Sequence, residues 1–129
     1  MDFDPNDRDC PTRQLLDRIG DQWTVLIVLS LEQGPRRFTE ISHTVSGISQ
    51  KVLSQTLRSL VRDGMLTRTA YAEVPPRVEY ALTDLGRSLA DAVSYLDRWA
   101  REHMGDVLAA RLAFDGTKTG GTKTGGTRV

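Results

Sequence analysis

Three features of this 129-residue sequence predict a mainly α-helical domain that carries a small β-hairpin. A short helical segment from Thr39 and a longer one from Ser49 are joined by a three-residue turn that contains Gly47. Beyond Gly64 the apolar pattern switches from the helical period to alternation, as Val78, Tyr80 and Leu82 show. A last helix then carries apolar residues at heptad spacing. Helix-turn-helix followed by a hairpin is a winged helix-turn-helix, and the heptad stripe predicts dimerisation through the terminal helices.

Composition sets the outer bounds. The length suits one domain, and 39% hydrophobic with 26% charged residues is a mixture that closes its own core. Cys10 is the single cysteine, which excludes an intrachain disulfide framework and a multi-cysteine zinc site. The residues before it are acidic and do not read as a secretory signal. Val25–Leu29, the longest apolar run, is far too short to span a membrane, so a cytoplasmic protein with no membrane partner is expected.

Each element has a local reason. Pro11 suits the first position of a helix that carries Leu15, Leu16 and Ile19 and ends at Gly20. Asp21 caps a second helix, expected over 22–33, that is apolar nearly all round and therefore central to the core. Gly34-Pro35 stops it. Thr39 is the expected cap of the short helix that buries Ile41 and Val45. Ser49 caps the next helix, with Ile48 and Leu53 as a hydrophobic staple, and Asp63-Gly64 ends it. Leu66–Glu73 and the segment around Val78–Leu82 read as paired strands, with Pro75 and Pro76 at the tip because prolines do not sit inside a ladder. Thr83 caps the final helix.

The charge balance is zero overall, with 17 basic and 17 acidic residues, yet it is uneven. Between residues 36 and 69 there are six Lys or Arg against two acids, whereas four aspartates and one arginine occupy the first ten residues. On a helical wheel Val52, Leu53, Leu57, Leu60 and Val61 share one half of the Ser49 helix. Lys51, Ser54, Gln55, Arg58 and Arg62 share the other, with no acid among them. Lys, Arg and Gln pair with base edges, and Ser reaches base or phosphate, so this face points to double-stranded DNA. Gln50, Lys51, Ser54 and Gln55, beside the capping Ser49, are the expected base-edge readers. Arg58 is the expected phosphate clamp, and Arg62 a clamp, packing or salt-bridge residue. Arg37 in the basic stretch and Arg77 at the wing tip complete the candidate DNA-binding set. The competing reading is a winged-helix protein-interaction module without sequence-specific DNA binding.

In the last helix Leu85, Leu89, Ala92, Leu96, Trp99 and His103 follow one another at steps of four and three. Leu85, Leu89, Ala92, Leu96 and Trp99 are the candidate dimer contacts, while Val93 leaves open a stripe that packs on its own domain. His43 and His103 have no ligand spacing, and nucleophile-elbow, phosphate-loop and dinucleotide signatures are missing. No cofactor, metal site or enzymatic activity is expected. The organisation is an acidic arm over 1–9, the DNA-binding and dimerisation domain over 10–115, and a tail over 116–129. Two Gly-Thr-Lys-Thr-Gly repeats predict that this tail is flexible.

Between residue 10 and about residue 101 the chain resembles the HxlR-type family of bacterial winged-helix transcriptional regulators. The resemblance lies in Cys10-Pro11, Ile19-Gly20 with Trp23-Thr24, Gly34-Pro35-Arg36-Arg37-Phe38, Asp63-Gly64 and Leu82-Thr83-Asp84-Leu85-Gly86. Gly47-Ile48-Ser49-Gln50-Lys51-Val52-Leu53 and Val74-Pro75-Pro76-Arg77-Val78-Glu79-Tyr80 are the most specific stretches. Gly20-Asp21-Gln22-Trp23 departs from the family's usual Gly-Gly-Lys-Trp and removes a positive charge. The resemblance implies a homodimer on a pseudo-palindromic operator, responding to a stress or metabolite. It also implies a candidate redox sensor in Cys10, since some relatives use a cysteine there to sense oxidants or electrophiles. The helix start and Arg8 and Arg13 favour thiolate chemistry, Asp7 and Asp9 oppose it, and a cysteine that only packs is the other reading. A small-molecule effector pocket near Trp23, Tyr95 and Trp99 is a second candidate for the input.

Overall fold

A computed structural model of the chain describes residues 4–120. The order is α1 (Pro11–Ile19), α2 (Gln22–Ser30), β1 (Arg36–Arg37), α3 (Phe38–Thr44), α4 (Gln50–Arg62), β2 (Leu66–Tyr71), β3 (Arg77–Leu82) and α5 (Asp84–Gly120). The chain divides into two units, the first ending at Ser94 and the second starting at Tyr95, so α5 contributes to both. Among the described residues no helix is long and apolar enough to cross a membrane.

The local signals act where the sequence places them. Asp21 accepts a hydrogen bond from the Trp23 N–H at 3.0 Å and Ser49 accepts one from the Val52 N–H at 3.1 Å. Gly47 sits in the turn before α4 at φ 89°, a conformation that a side chain resists. α2 is shorter than its apolar run predicts. Past Ser30 the backbone tightens into three-residue turns, with Glu32 N–H on the Leu29 carbonyl and Gly34 N–H on the Leu31 carbonyl. α3 starts at Phe38, one residue ahead of the expected Thr39 cap, because the Glu40 carboxylate accepts from the Arg37 N–H at 2.8 Å and closes the first turn earlier.

The wing is a three-stranded antiparallel sheet in the order β1-β3-β2, not a bare hairpin. β1 pairs Arg36 with Tyr80 and Arg37 with Glu79, and β2 pairs Leu66 with Leu82 through Tyr71 with Arg77. This third strand ties the chain before α3 to the wing.

The core of the first unit is made by Ile27, Val28 and Leu31 with Ile41 and Val45, by Leu53, Leu57 and Leu60 of α4, and by Met65, Leu66, Leu82 and Ala90. Each leucine removed from water contributes about 1.5–3 kcal/mol, so three on one side of α4 hold that helix in a single rotation.

α5 is joined to this core by a tight contact. Thr83 Oγ1 accepts from the Gly86 N–H at 3.0 Å and donates to the Gly64 carbonyl at 2.6 Å, while the Thr83 N–H donates to the Met65 carbonyl. Gly86 lies so close to Met65 that a Cβ there would stand 2.0 Å from the Met65 carbonyl oxygen. Gly86, Ala90 and Val93 therefore form the inward face, with Ala90 and Val93 buried. Leu85, Leu96 and Trp99 are half exposed or more, Ala92 is exposed, and Leu89 packs at the edge of the core. α5 continues through residues 116–120, where a flexible segment was expected. Thr117 Oγ1 donates to the Ala113 carbonyl at 2.9 Å, and extending an existing helix adds one hydrogen bond per residue ordered. The rest of that expected tail, 121–129, lies outside the described residues.

Gly86→Ala forces the Met65 backbone or α5 to shift. We expect a loss of about 1–3 kcal/mol in urea unfolding, and an unchanged midpoint would show that the contact is looser than described.

Candidate nucleic-acid interface

Burial of Leu53, Leu57 and Leu60 turns Gln50, Lys51, Ser54, Gln55, Arg58 and Arg62 outward, and all six are exposed. The face is the one expected from the sequence, and it carries no carboxylate. Ser49 uses its oxygen as the helix cap but keeps its hydroxyl proton free to donate. Arg62 lies 4.0 Å from Asp63 with its side chain mostly in solvent, a weak pairing. Asp63 is engaged more closely by Arg18 of α1 at 2.6 Å, so the end of α4 is anchored from a helix that sequence reasoning did not connect with it.

Arg77 differs from expectation. Its Nη2 meets Glu73 Oε2 at 2.7 Å, its Nε meets Glu73 Oε1 at 3.2 Å, and its Nη1 is bound by Glu79. The guanidinium also lies 3.9 Å from the centroid of the Tyr71 ring. An arginine held by two carboxylates and an aromatic face does not project freely from the wing. It staples the β2–β3 tip instead. Arg37 is exposed on β1 opposite Glu79, and its charge also reaches Glu73. Arg68 of β2, which sequence reasoning did not single out, is exposed and stands opposite Tyr80. The signal that identifies it is strand register, which exists only once β2 and β3 are paired.

Cys10 is the N-cap residue of α1 and is 7% exposed. Its carbonyl accepts from the Arg13 and Gln14 N–H groups, and its side chain makes no capping bond. Trp23 packs against the core of the first unit. In the second unit Tyr95 lies under the Arg98 guanidinium, and Trp99 stacks on His103 at 4.6 Å. His43, at the end of α3, is exposed. Among the described residues no group of His, Cys, Asp and Glu is placed to hold a metal ion.

The model of the HxlR-like helix-turn-helix family matches residues 18–107. The HTH-type transcriptional regulator YtfH of Escherichia coli K12 is 41% identical over 102 residues, covering 79% of this chain and 81% of that protein. Among solved structures, the transcriptional regulator ytfH from Salmonella typhimurium superposes with a TM-score of 0.81 at 38% identity, over 85% of this chain and 98% of that one. The redox regulator HypR in its reduced form gives 0.70 at 36% identity, over 78% and 98%.

The wing clamp has a pH signature. The Arg77 hydrogen bond, with the charges of Arg77 and Arg37, holds the Glu73 carboxyl below the usual carboxylate range despite an opposing desolvation effect. Glu73 therefore stays ionised at neutral and mildly acidic pH, and the clamp opens only as pH falls through that lowered value. A carbon-detected NMR titration should show Glu73 protonating below an ordinary glutamate and returning to the ordinary range in Arg77→Ala. Identical titrations in the two proteins would mean that the clamp does not persist in solution.

Proposed function

The chain belongs to the HxlR-like helix-turn-helix family of transcriptional regulators, and from that premise we propose that α4 is its sequence-reading helix on double-stranded DNA. The observation that carries this reading is the exposed, acid-free face of α4. Lys51 and Gln55, with Gln50 and Ser54, read base edges from the first two turns, while Arg58, Ser49 and Arg37 hold the backbone. Arg77 acts as a positioning residue that shapes the wing. The protein acts in the cytoplasm by binding rather than by catalysis. A winged helix used only as a protein-interaction module would not need this polar set. Lys51→Ala or Gln55→Ala should cost about 1–3 kcal/mol on an operator selected from random duplexes and relax base preference. Gel-shift titration against scrambled DNA reads both effects. Full affinity and selectivity in both variants would overturn the assignment.

The domain over 10–115 binds as a homodimer on a pseudo-palindromic operator. Support comes from the stripe of Leu85, Leu89, Ala92, Leu96 and Trp99, most of which is exposed in a single copy of the chain. Leu96→Asp places a charge in that contact, where burial without a partner is costly. Sedimentation should then report a monomer with weakened operator binding. A variant that remains dimeric would place the contact elsewhere.

HypR, solved in reduced and oxidised forms, favours an oxidant as the input. Cys10 is the thiol that would receive it, and its burial requires α1 to move first. A small-molecule effector is the alternative source of control. Mild oxidation should change operator affinity in the wild type but not in Cys10→Ser, and equal responses would assign the thiol to packing alone.

A further inference from the structure

We propose that a cleft between α4 and the wing sheet seats one backbone phosphate of bound DNA, clamped by Arg58 from the helix and Arg68 from β2. The proposal rests on the DNA-binding reading and adds to it a strand-borne contact. The cleft, about 380 Å³, is lined by Ser54, Arg58 and Val61 of α4, Phe38 of α3, Arg68 of β2 and Tyr80 of β3. No carboxylate is among these residues.

Sheet register puts the charge there. Arg36, Tyr80 and Arg68 stand directly opposite one another across β1, β3 and β2, so all three belong to one face of the sheet. The next row, Arg37, Glu79 and Thr69, belongs to the other face. The wing thus separates its arginines. Arg77 is neutralised by Glu73 and Glu79, whereas neither Arg58 nor Arg68 has an ion pair among the described residues. Two guanidinium groups lining one cleft without a counter-charge repel each other until an anion enters. Their planar donor arrays match phosphate oxygens, and the Ser54 and Tyr80 hydroxyls add neutral donors.

The position selects the DNA backbone over a base. Arg58 is seven residues beyond Lys51, on the order of 10 Å along the helix axis. When the first turns of α4 lie in a major groove, Arg58 is carried toward the groove wall, where Arg68 approaches from the sheet. The seat therefore sets register without reading sequence.

The test uses the full chain and an operator selected from random duplexes. Arg68→Ala should weaken operator and scrambled DNA alike, by roughly 10- to 100-fold for a charged hydrogen bond lost. The slope of log K against log salt should fall by about 0.9 for each phosphate contact removed. Arg68→Lys, which keeps the charge, should recover part of the affinity and so separates contact loss from misfolding. A neutral methylphosphonate at one backbone position should weaken the wild type more than it weakens Arg68→Ala, in which only Arg58 still faces that phosphate. Wild-type affinity and salt slope in Arg68→Ala, with base preference still lost in Lys51→Ala, would overturn the phosphate seat while leaving the DNA reading intact. A wild-type chain that binds no duplex would overturn both. Inorganic phosphate bound through Arg68 in the free protein, with DNA affinity independent of Arg68, would make the cleft an effector site and overturn the proposal.

Discussion

The rotation of α4 about its own axis is the constraint on which the rest depends. Leu53, Leu57 and Leu60 are essentially fully buried, and they hold that rotation with several kcal/mol of apolar burial. Lys51, Ser54, Gln55 and Arg58 then have no choice but to face outward. Their own contribution to stability is small, since exposed polar side chains away from caps and ion pairs matter little to folding. Stability and the proposed recognition face thus occupy opposite halves of one helix, so the outer half is available for binding without loosening the core. The Ser49 cap and the Gly47 turn set where that helix starts, and the Arg18–Asp63 pair anchors where it ends.

α5 repeats this division. Gly86, Ala90 and Val93 are small enough to bring the helix against Met65 and the first-unit core. The residues one position before each of them, Leu85, Leu89 and Ala92, fall on an adjacent stripe that continues to Leu96 and Trp99. Large apolar side chains left in solvent at heptad spacing are the usual mark of a helix that meets another copy. Thr83 links the two divisions. A single hydroxyl caps α5 and donates to the Gly64 carbonyl, so the helix proposed to read DNA ends, and the helix proposed to pair begins, at one joint.

Most of this was legible in the sequence because the signals are local. Asp21, Ser49 and Thr83 cap helices through atoms within three residues, and a sequence shows such pairs directly. The polar half of α4 was equally legible from its period. What was not legible depends on residues far apart in the chain. β1 is two arginines with no strand pattern, and it exists because β3 offers an edge to pair with. Arg77 is the exception in range, since Glu73 and Glu79 are only four and two residues away, yet it reads as a free wing-tip cation until the folded tip turns both carboxylates onto its guanidinium. Arg68 reads as an ordinary strand arginine until register sets it opposite Tyr80 and beside Arg58. The helical state of residues 116–120 was missed for another reason. Composition describes the cost of starting a helix there, whereas α5 needs only to be extended.

The most direct measurement is hydroxyl-radical footprinting of the full-length protein on an operator selected from random duplexes. Two copies reading through α4 on a two-fold axis should protect two patches whose centres are about 34–36 Å apart, one helical turn. Protection should shrink at both patches together when Lys51 is replaced by Ala. A single patch, or even protection along the duplex that is indifferent to Lys51, would contradict the account.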